Sequence, residues 1–106
     1  MNEQVKRVLD TYVDIITSVE GVLQVYLFGS YAYGTPHEQS DLDLMVIVDD
    51  EHKAINKSLE IHKNVSGKSV FPVDILVNRA FDFANAQNDP TLQRRIKEEG
   101  VLLYAK

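Results

Sequence analysis

Leu27-Phe28-Gly29-Ser30-Tyr31-Ala32-Tyr33-Gly34-Thr35-Pro36-His37-Glu38-Gln39-Ser40-Asp41-Leu42-Asp43-Leu44 is the stretch on which both the fold and the chemistry turn. It begins at the end of a short apolar run, Val22 to Phe28, rich in β-branched and aromatic residues and bounded by glycines. Such a run predicts a buried strand. Gly29-Ser30 ends it, and Tyr31 to Gly34 has room for one helical turn before a polar loop from Thr35 to Ser40. Asp41 to Val48 predicts a second strand. Leu42, Leu44, Val46 and Val48 share one of its faces, and Asp41, Asp43, Met45 and Ile47 share the other.

Carboxylates at i and i+2 of a strand leave the same face with Cα atoms roughly 6.6–6.8 Å apart. Their side chains can converge on one or two divalent cations. Without a cation the arrangement is expensive, since like charges ~4 Å apart repel by about 4 kcal/mol at an effective dielectric near 20. An isolated Asp-x-Asp is more often a strand-entry cap beside a salt-bridged residue. Here Asp43 lies inside an apolar strand, where an unpaired carboxylate is costly, and Asp74 is in the same position between Val73 and Ile75. Asp74 on a neighbouring strand, in the right phase, supplies a third carboxylate. Oxygen ligands with no His or Cys nearby favour a hard ion, Mg²⁺ or Mn²⁺. Gly29 lets backbone approach a ligand closely, and the amides of the following turn, with the Ser30 hydroxyl, can cradle phosphate. Carboxylates and turn together describe a site for Mg²⁺ and a nucleoside triphosphate.

Working outward, Val5, Val8, Leu9, Tyr12, Val13, Ile16 and Val19 recur at helical spacing, with a glycine C-cap expected near Gly21. A second helical pattern runs from Glu51 to about Val65, with Ile55 and Leu59 one turn apart on its apolar stripe. Val70 to Val77 predicts a third strand, and Phe81 to Ala84 a short helix. Asp89 as N-cap with Pro90 at the first helical position opens a last helix to about Glu99. Val101 to Tyr104 is a final short strand. This order predicts an α/β (α+β) fold, a small mixed sheet flanked by helices.

The 106 residues set the prior at one domain, residues 1–106. Net charge is −5, so a main role in charge-driven binding of nucleic acid or anionic lipid is not expected. Zero cysteines exclude disulfides, thiol catalysis and Cys-based zinc sites. No signal peptide or membrane-spanning run is visible, and a cytoplasmic domain is the expectation. Gly67-Lys68-Ser69 resembles the end of a P-loop, but the glycine it requires falls at His62, so it is read as a turn. His37, His52 and His62 have no metal-ligand spacing, and only His37 is near enough in sequence to touch a substrate. Arg94, Arg95 and Lys97 read as a solvated face or a complement to the helix C-terminus.

Gly29-Ser30, ten intervening residues and Asp41-x-Asp43, with Ala32, Gly34 and Ser40 in place, resemble the signature of the DNA polymerase β-like nucleotidyltransferase superfamily. Asp74 in Pro72-Val-Asp-Ile-Leu76 matches its third carboxylate. The short chain resembles, more narrowly, the minimal nucleotidyltransferase (MNT) antitoxins of HEPN/MNT toxin–antitoxin pairs. The resemblance implies a polymerase β-like nucleotidyltransferase fold. It implies that Asp41, Asp43 and Asp74 are catalytic and bind two Mg²⁺ ions, and that Gly29, Ser30 and Ser40 bind the nucleotide. It further implies transfer of AMP from ATP to a hydroxyl of a partner protein, a tyrosine of a HEPN ribonuclease toxin. One departure stands out: relatives often carry Arg where this chain has Tyr31 and Tyr33, and tyrosine offers no guanidinium to a phosphate. Two alternatives accompany this reading. One is an antitoxin acting by contact alone over a vestigial site; the other is the catalytic half of a split small-molecule (aminoglycoside-type) transferase. Predicted elements from Val5 to Tyr104 are all used by the core, so a second protein is expected to bring the acceptor, in a homo- or hetero-oligomer.

Overall fold

The computed structural model describes residues 2–37 and 39–106; Met1 and Glu38, the latter within the predicted polar loop, lie outside it. The elements are α1 (Glu3–Thr17), β1 (Val22–Phe28), α2 (Ser30–Tyr33), β2 (Leu42–Val48), α3 (Ala54–Val65), β3 (Val73–Arg79), α4 (Ala80–Ala86), α5 (Leu92–Glu99) and β4 (Val101–Ala105). The strands form one mixed sheet in the order β3-β2-β1-β4. β1 runs antiparallel to both β2 and β4, whereas β2 and β3 are parallel and joined through α3. This is the α/β arrangement the element order predicts.

Strand alternation divides the core in two. On one face Leu42, Leu44, Val46 and Val48 pack with Val25 and Leu27 against Val5, Leu9, Tyr12 and Ile16 of α1 and Ile61 and Val65 of α3. On the other, Met45 and Ile47 join Tyr26 and Phe28 beneath Phe83 of α4 and Ile96 of α5. Gly100 lets α5 turn straight into β4. A Cβ there would lie 2.5 Å from the Ile96 carbonyl oxygen and 3.2 Å from that of Leu27. Among the described residues no helix is long and apolar enough to cross a membrane.

Four local expectations are corrected. α1 ends at a Ser18 cap, whose amide donates to the carbonyls of Ile15 and Ile16, and not at Gly21. α3 buries Lys57, Ile61 and Val65, turning Ile55 and Leu59 outward. β3 starts at Val73 and not at Val70: the Ser69 hydroxyl accepts from the Phe71 amide at 2.9 Å, and Pro72 has no amide to give a ladder. The last helix is capped by Thr91, which accepts from the Arg94 amide at 3.2 Å, so Asp89 and Pro90 precede it.

Candidate active site

β1 ends at Phe28, and Gly29 then takes φ 76° and ψ −164°, a conformation open to glycine alone. A Cβ at Gly29 would collide with the Asp43 carboxylate and approach its Cγ to 3.0 Å. The carboxylate of the strand residue therefore rests directly on the backbone of the turn. The Ala32 and Tyr33 amides bond the Gly29 carbonyl at 3.0 and 3.1 Å, closing α2. An anion at this turn would meet the Ser30 and Tyr31 amides and the Ser30 hydroxyl.

Register aligns the rest. Phe28 pairs with Asp43 across the antiparallel ladder, and Asp43 pairs with Asp74 across the parallel one. Phe28, Asp43 and Asp74 thus form a row across three strands. The Leu42 amide bonds the Pro72 carbonyl at 3.1 Å and pins the entry of β2 to that of β3. Asp41, one residue ahead of β2, is half-buried, as is Asp43, while Asp74 on the edge strand is exposed. Burial first, then the charges of Asp74 and Asp41, push the Asp43 carboxyl above its ordinary value. Asp43 therefore feels both neighbouring carboxylates, although among the described residues no three His, Asp or Glu side chains close into a cation-binding cluster. Their donors are hard oxygens carrying uncompensated negative charge, the chemistry that fits Mg²⁺ or Mn²⁺.

Ser40 is buried and closes the preceding loop. Its hydroxyl oxygen accepts from the His37 amide at 2.8 Å, and its own amide donates to the His37 carbonyl at 2.9 Å. Its visible work is to set the position of Asp41.

His62 is the residue that sequence reasoning missed. It lines an open depression of ≈ 470 Å³ together with Phe28, Asp43, Asp74 and Leu76. The signal was the parallel β2–α3–β3 connection, which returns the last turns of α3 toward the start of β3. The Nδ1 of His62 lies 2.7 Å from the Ser58 carbonyl. A carbonyl only accepts, so Nδ1 carries the proton and Nε2 is the nitrogen left for a ligand. His37, by contrast, is exposed, and its Nδ1 accepts from the Gln39 amide at 3.2 Å.

Tyr31 and Tyr33 are packing residues. Tyr31 meets Phe71 edge-on at 6.1 Å. Tyr33 packs against the second core cluster, with the Arg95 guanidinium 4.3 Å above its ring. Arg94 and Arg95 are otherwise paired one turn on, with Glu98 and Glu99, in exposed ion pairs worth little to stability.

A mixed sheet with Asp41-x-Asp43 at the start of β2 and a Gly29-Ser30 turn beside it is the arrangement that the resemblance to nucleotidyltransferases implies. The chain belongs to the family described as Polymerase beta, Nucleotidyltransferase, which it matches over residues 3–106. It is 26% identical over 102 residues to a Methanocaldococcus jannaschii protein bearing a provisional protein adenylyltransferase name, covering 95% of this chain and 94% of that one. Its fold is shared with a provisionally named nucleotidyltransferase from Sulfolobus solfataricus (TM-score 0.66, 20% identity, 94% of this chain and 79% of that one). It is shared equally with a substituted form of the toxin–antitoxin MntA-HpeT (TM-score 0.60, 22% identity, 100% and 75%). A toxin–antitoxin solved with AMP-PNP is similar too (TM-score 0.64, 21% identity, 92% and 73%).

Proposed function

We propose that this chain transfers AMP from ATP to a hydroxyl of a partner protein, and that it serves as the antitoxin to a HEPN ribonuclease toxin. The observation that carries the reading is the row Phe28–Asp43–Asp74 lying against Gly29, two carboxylates beside the Gly29-Ser30 turn, with Asp41 one residue ahead of β2. Relatives named for protein adenylylation and for toxin–antitoxin assembly support the choice of acceptor and partner.

Asp41 and Asp43 would hold two Mg²⁺ ions, with Asp74 completing the second. Bound there, the ions would neutralise the triphosphate and lower the pKa of the attacking hydroxyl. Gly29 and Ser30 would hold the β- and γ-phosphates through backbone amides and hydroxyl. The acceptor oxygen forms a bond to the α-phosphorus, the bond to the β-phosphate oxygen breaks, and pyrophosphate leaves. Asp74, at the exposed edge, receives the proton of the hydroxyl. Adenylylation of a tyrosine on the toxin would then block its RNA site.

The test is to co-express the chain with the protein encoded beside it and supply ATP labelled at the α-phosphate with Mg²⁺. Label should appear on the partner and vanish with Asp43→Asn; label that survives this change sinks the mechanism. A contact-only antitoxin gains some support from Tyr31 and Tyr33, both taken up in packing. It predicts that cells remain fully protected when Asp41 and Asp43 are both replaced by Asn.

A further inference from the structure

Ile55 and Leu59, one turn apart on α3, are 63% and 64% exposed, while the neighbouring stripe of Lys57, Ile61 and Val65 is buried. His62 continues the exposed stripe. A helix that hides a lysine and presents two large aliphatic residues to solvent has a second apolar face awaiting a partner. Beside that face runs the open edge of β3, which among the described residues pairs only with β2. Leu76 on that strand is 42% exposed. Edge strands with outward apolar side chains are templates for another strand.

Two depressions meet along this edge. The one containing Asp43, Asp74 and His62 shares Ile75 and Leu76 with a second of ≈ 300 Å³ that reaches Ile55 and Ser58. One groove therefore leads from the apolar stripe of α3 to the carboxylates.

We propose that the acceptor protein docks in this groove as an extended segment added to β3, with its hydroxyl-bearing residue opposite Asp74. The inference rests on the protein-adenylylation reading above and names how the acceptor reaches that site. An added strand lies about 4.7–4.9 Å beyond β3, and its side chains alternate between the two faces of the sheet. The residue that continues the row Phe28–Asp43–Asp74 falls on the carboxylate face. Its immediate neighbours turn to the α3 side, toward Ile55 and Ser58, and the residue two further along meets Leu76. The segment accordingly carries a hydroxyl at one position and apolar residues around it. With a net charge of −5 on this chain and the Asp43 and Asp74 carboxylates at the groove's end, the segment is neutral or basic overall. His62 Nε2 offers it a hydrogen-bond acceptor at the same end. Neither depression is lined by a Lys or Arg side chain that a nucleic acid could pair with, and a second copy of the chain would bring its own −5.

The probe is a heptapeptide with a central tyrosine, valines alternating with lysines on either side, set against a shuffled isomer of equal composition. Two readouts are taken: amide hydrogen exchange of the chain with peptide, and transfer of labelled AMP to peptide. The alternating peptide should slow exchange across residues 73–77 and be labelled at least tenfold faster than the shuffled one. The double variant Ile55→Ser with Leu59→Ser should cut both effects by about tenfold or more, the loss expected when apolar side chains leave an interface, with ATP affinity unchanged. Equal protection by both peptides, or none by either, overturns the docking proposal whatever the activity. So does a dimer of the chain that dissociates in the double variant, because the groove is then filled by a second copy. Protection by the alternating peptide alone, without AMP transfer, leaves docking standing and sinks the catalytic reading instead.

Discussion

The two faces of β2 are covered very differently. Leu42, Leu44, Val46 and Val48 are buried on one face under α1 and α3, in a cluster that draws on every strand of the sheet. On the other face only Met45 and Ile47 are covered, by α4 and α5, and Asp43 and Asp41 are left at the uncovered end. A strand with a period of two can serve both ends at once. The face without polar groups supplies stability, and the half-covered face can carry charges that would be intolerable opposite. The proposed chemistry sits where the helical cover stops.

That contrast can be broken from either side. The largest effect is expected at Asp43→Asn, which should lower nucleotidyl transfer by about 10³-fold, the scale of losing several kcal/mol of charge stabilisation. Pyrophosphate release under Mg²⁺ and ATP measures it, and the melting temperature should not fall. Leu44→Ala, one residue away on the opposite face, should do the reverse. It should cost about 2–5 kcal/mol of stability in urea denaturation while the folded fraction keeps its specific activity. Activity loss beyond the unfolded fraction would show the faces are not separable. Gly29→Ala sits between the two regions and should affect both. Its backbone conformation costs about 1–3 kcal/mol in a residue with a Cβ, and the added methyl displaces Asp43. Weaker binding of a fluorescent ATP analogue should accompany the lower denaturation midpoint.

The smallest effect is a pH dependence. The Asp43 carboxyl is raised by burial and by Asp74 and Asp41, so the folded chain holds that proton more tightly than the unfolded one. In the absence of divalent cation, stability should therefore fall as pH rises through the window between the ordinary and the raised value, and level off above it. Asp43→Asn should remove this slope and raise the melting temperature at neutral pH. A melting temperature unchanged by the substitution would show that the carboxylate is not strained in the free chain.

Much of this could be read in advance because the decisive signals are local. Alternation in Asp41 to Val48 put Asp43 on the face opposite Leu42 and Leu44, and a glycine before Ser30 marked a turn where backbone can approach a ligand. Register was not local. That Asp74 lies level with Asp43 depends on the Leu42 to Pro72 hydrogen bond and on where Pro72 lets β3 begin. The reversal on α3 has a similar cause. Ile55 and Leu59 are the stripe expected inward by sequence, but the crossover from β2 to β3 presents the Ile61 and Val65 side to the sheet, and Lys57 is buried with it, its Nζ 3.3 Å from Glu60. Long amphipathic side chains make such an outcome tolerable. His62 escaped notice for the same reason, since nothing near it in sequence ties it to Asp43.

The contact between Gly29 and Asp43 has a consequence for how such a domain can diverge. The spacing between the Gly29-Ser30 turn and Asp43 is set by two neighbouring strands and one missing methyl group. His37 and Ser40 clasp the connection between them through two hydrogen bonds. That connection could lengthen or shorten while the site kept its calibration, whereas a single methyl at position 29 would detune it.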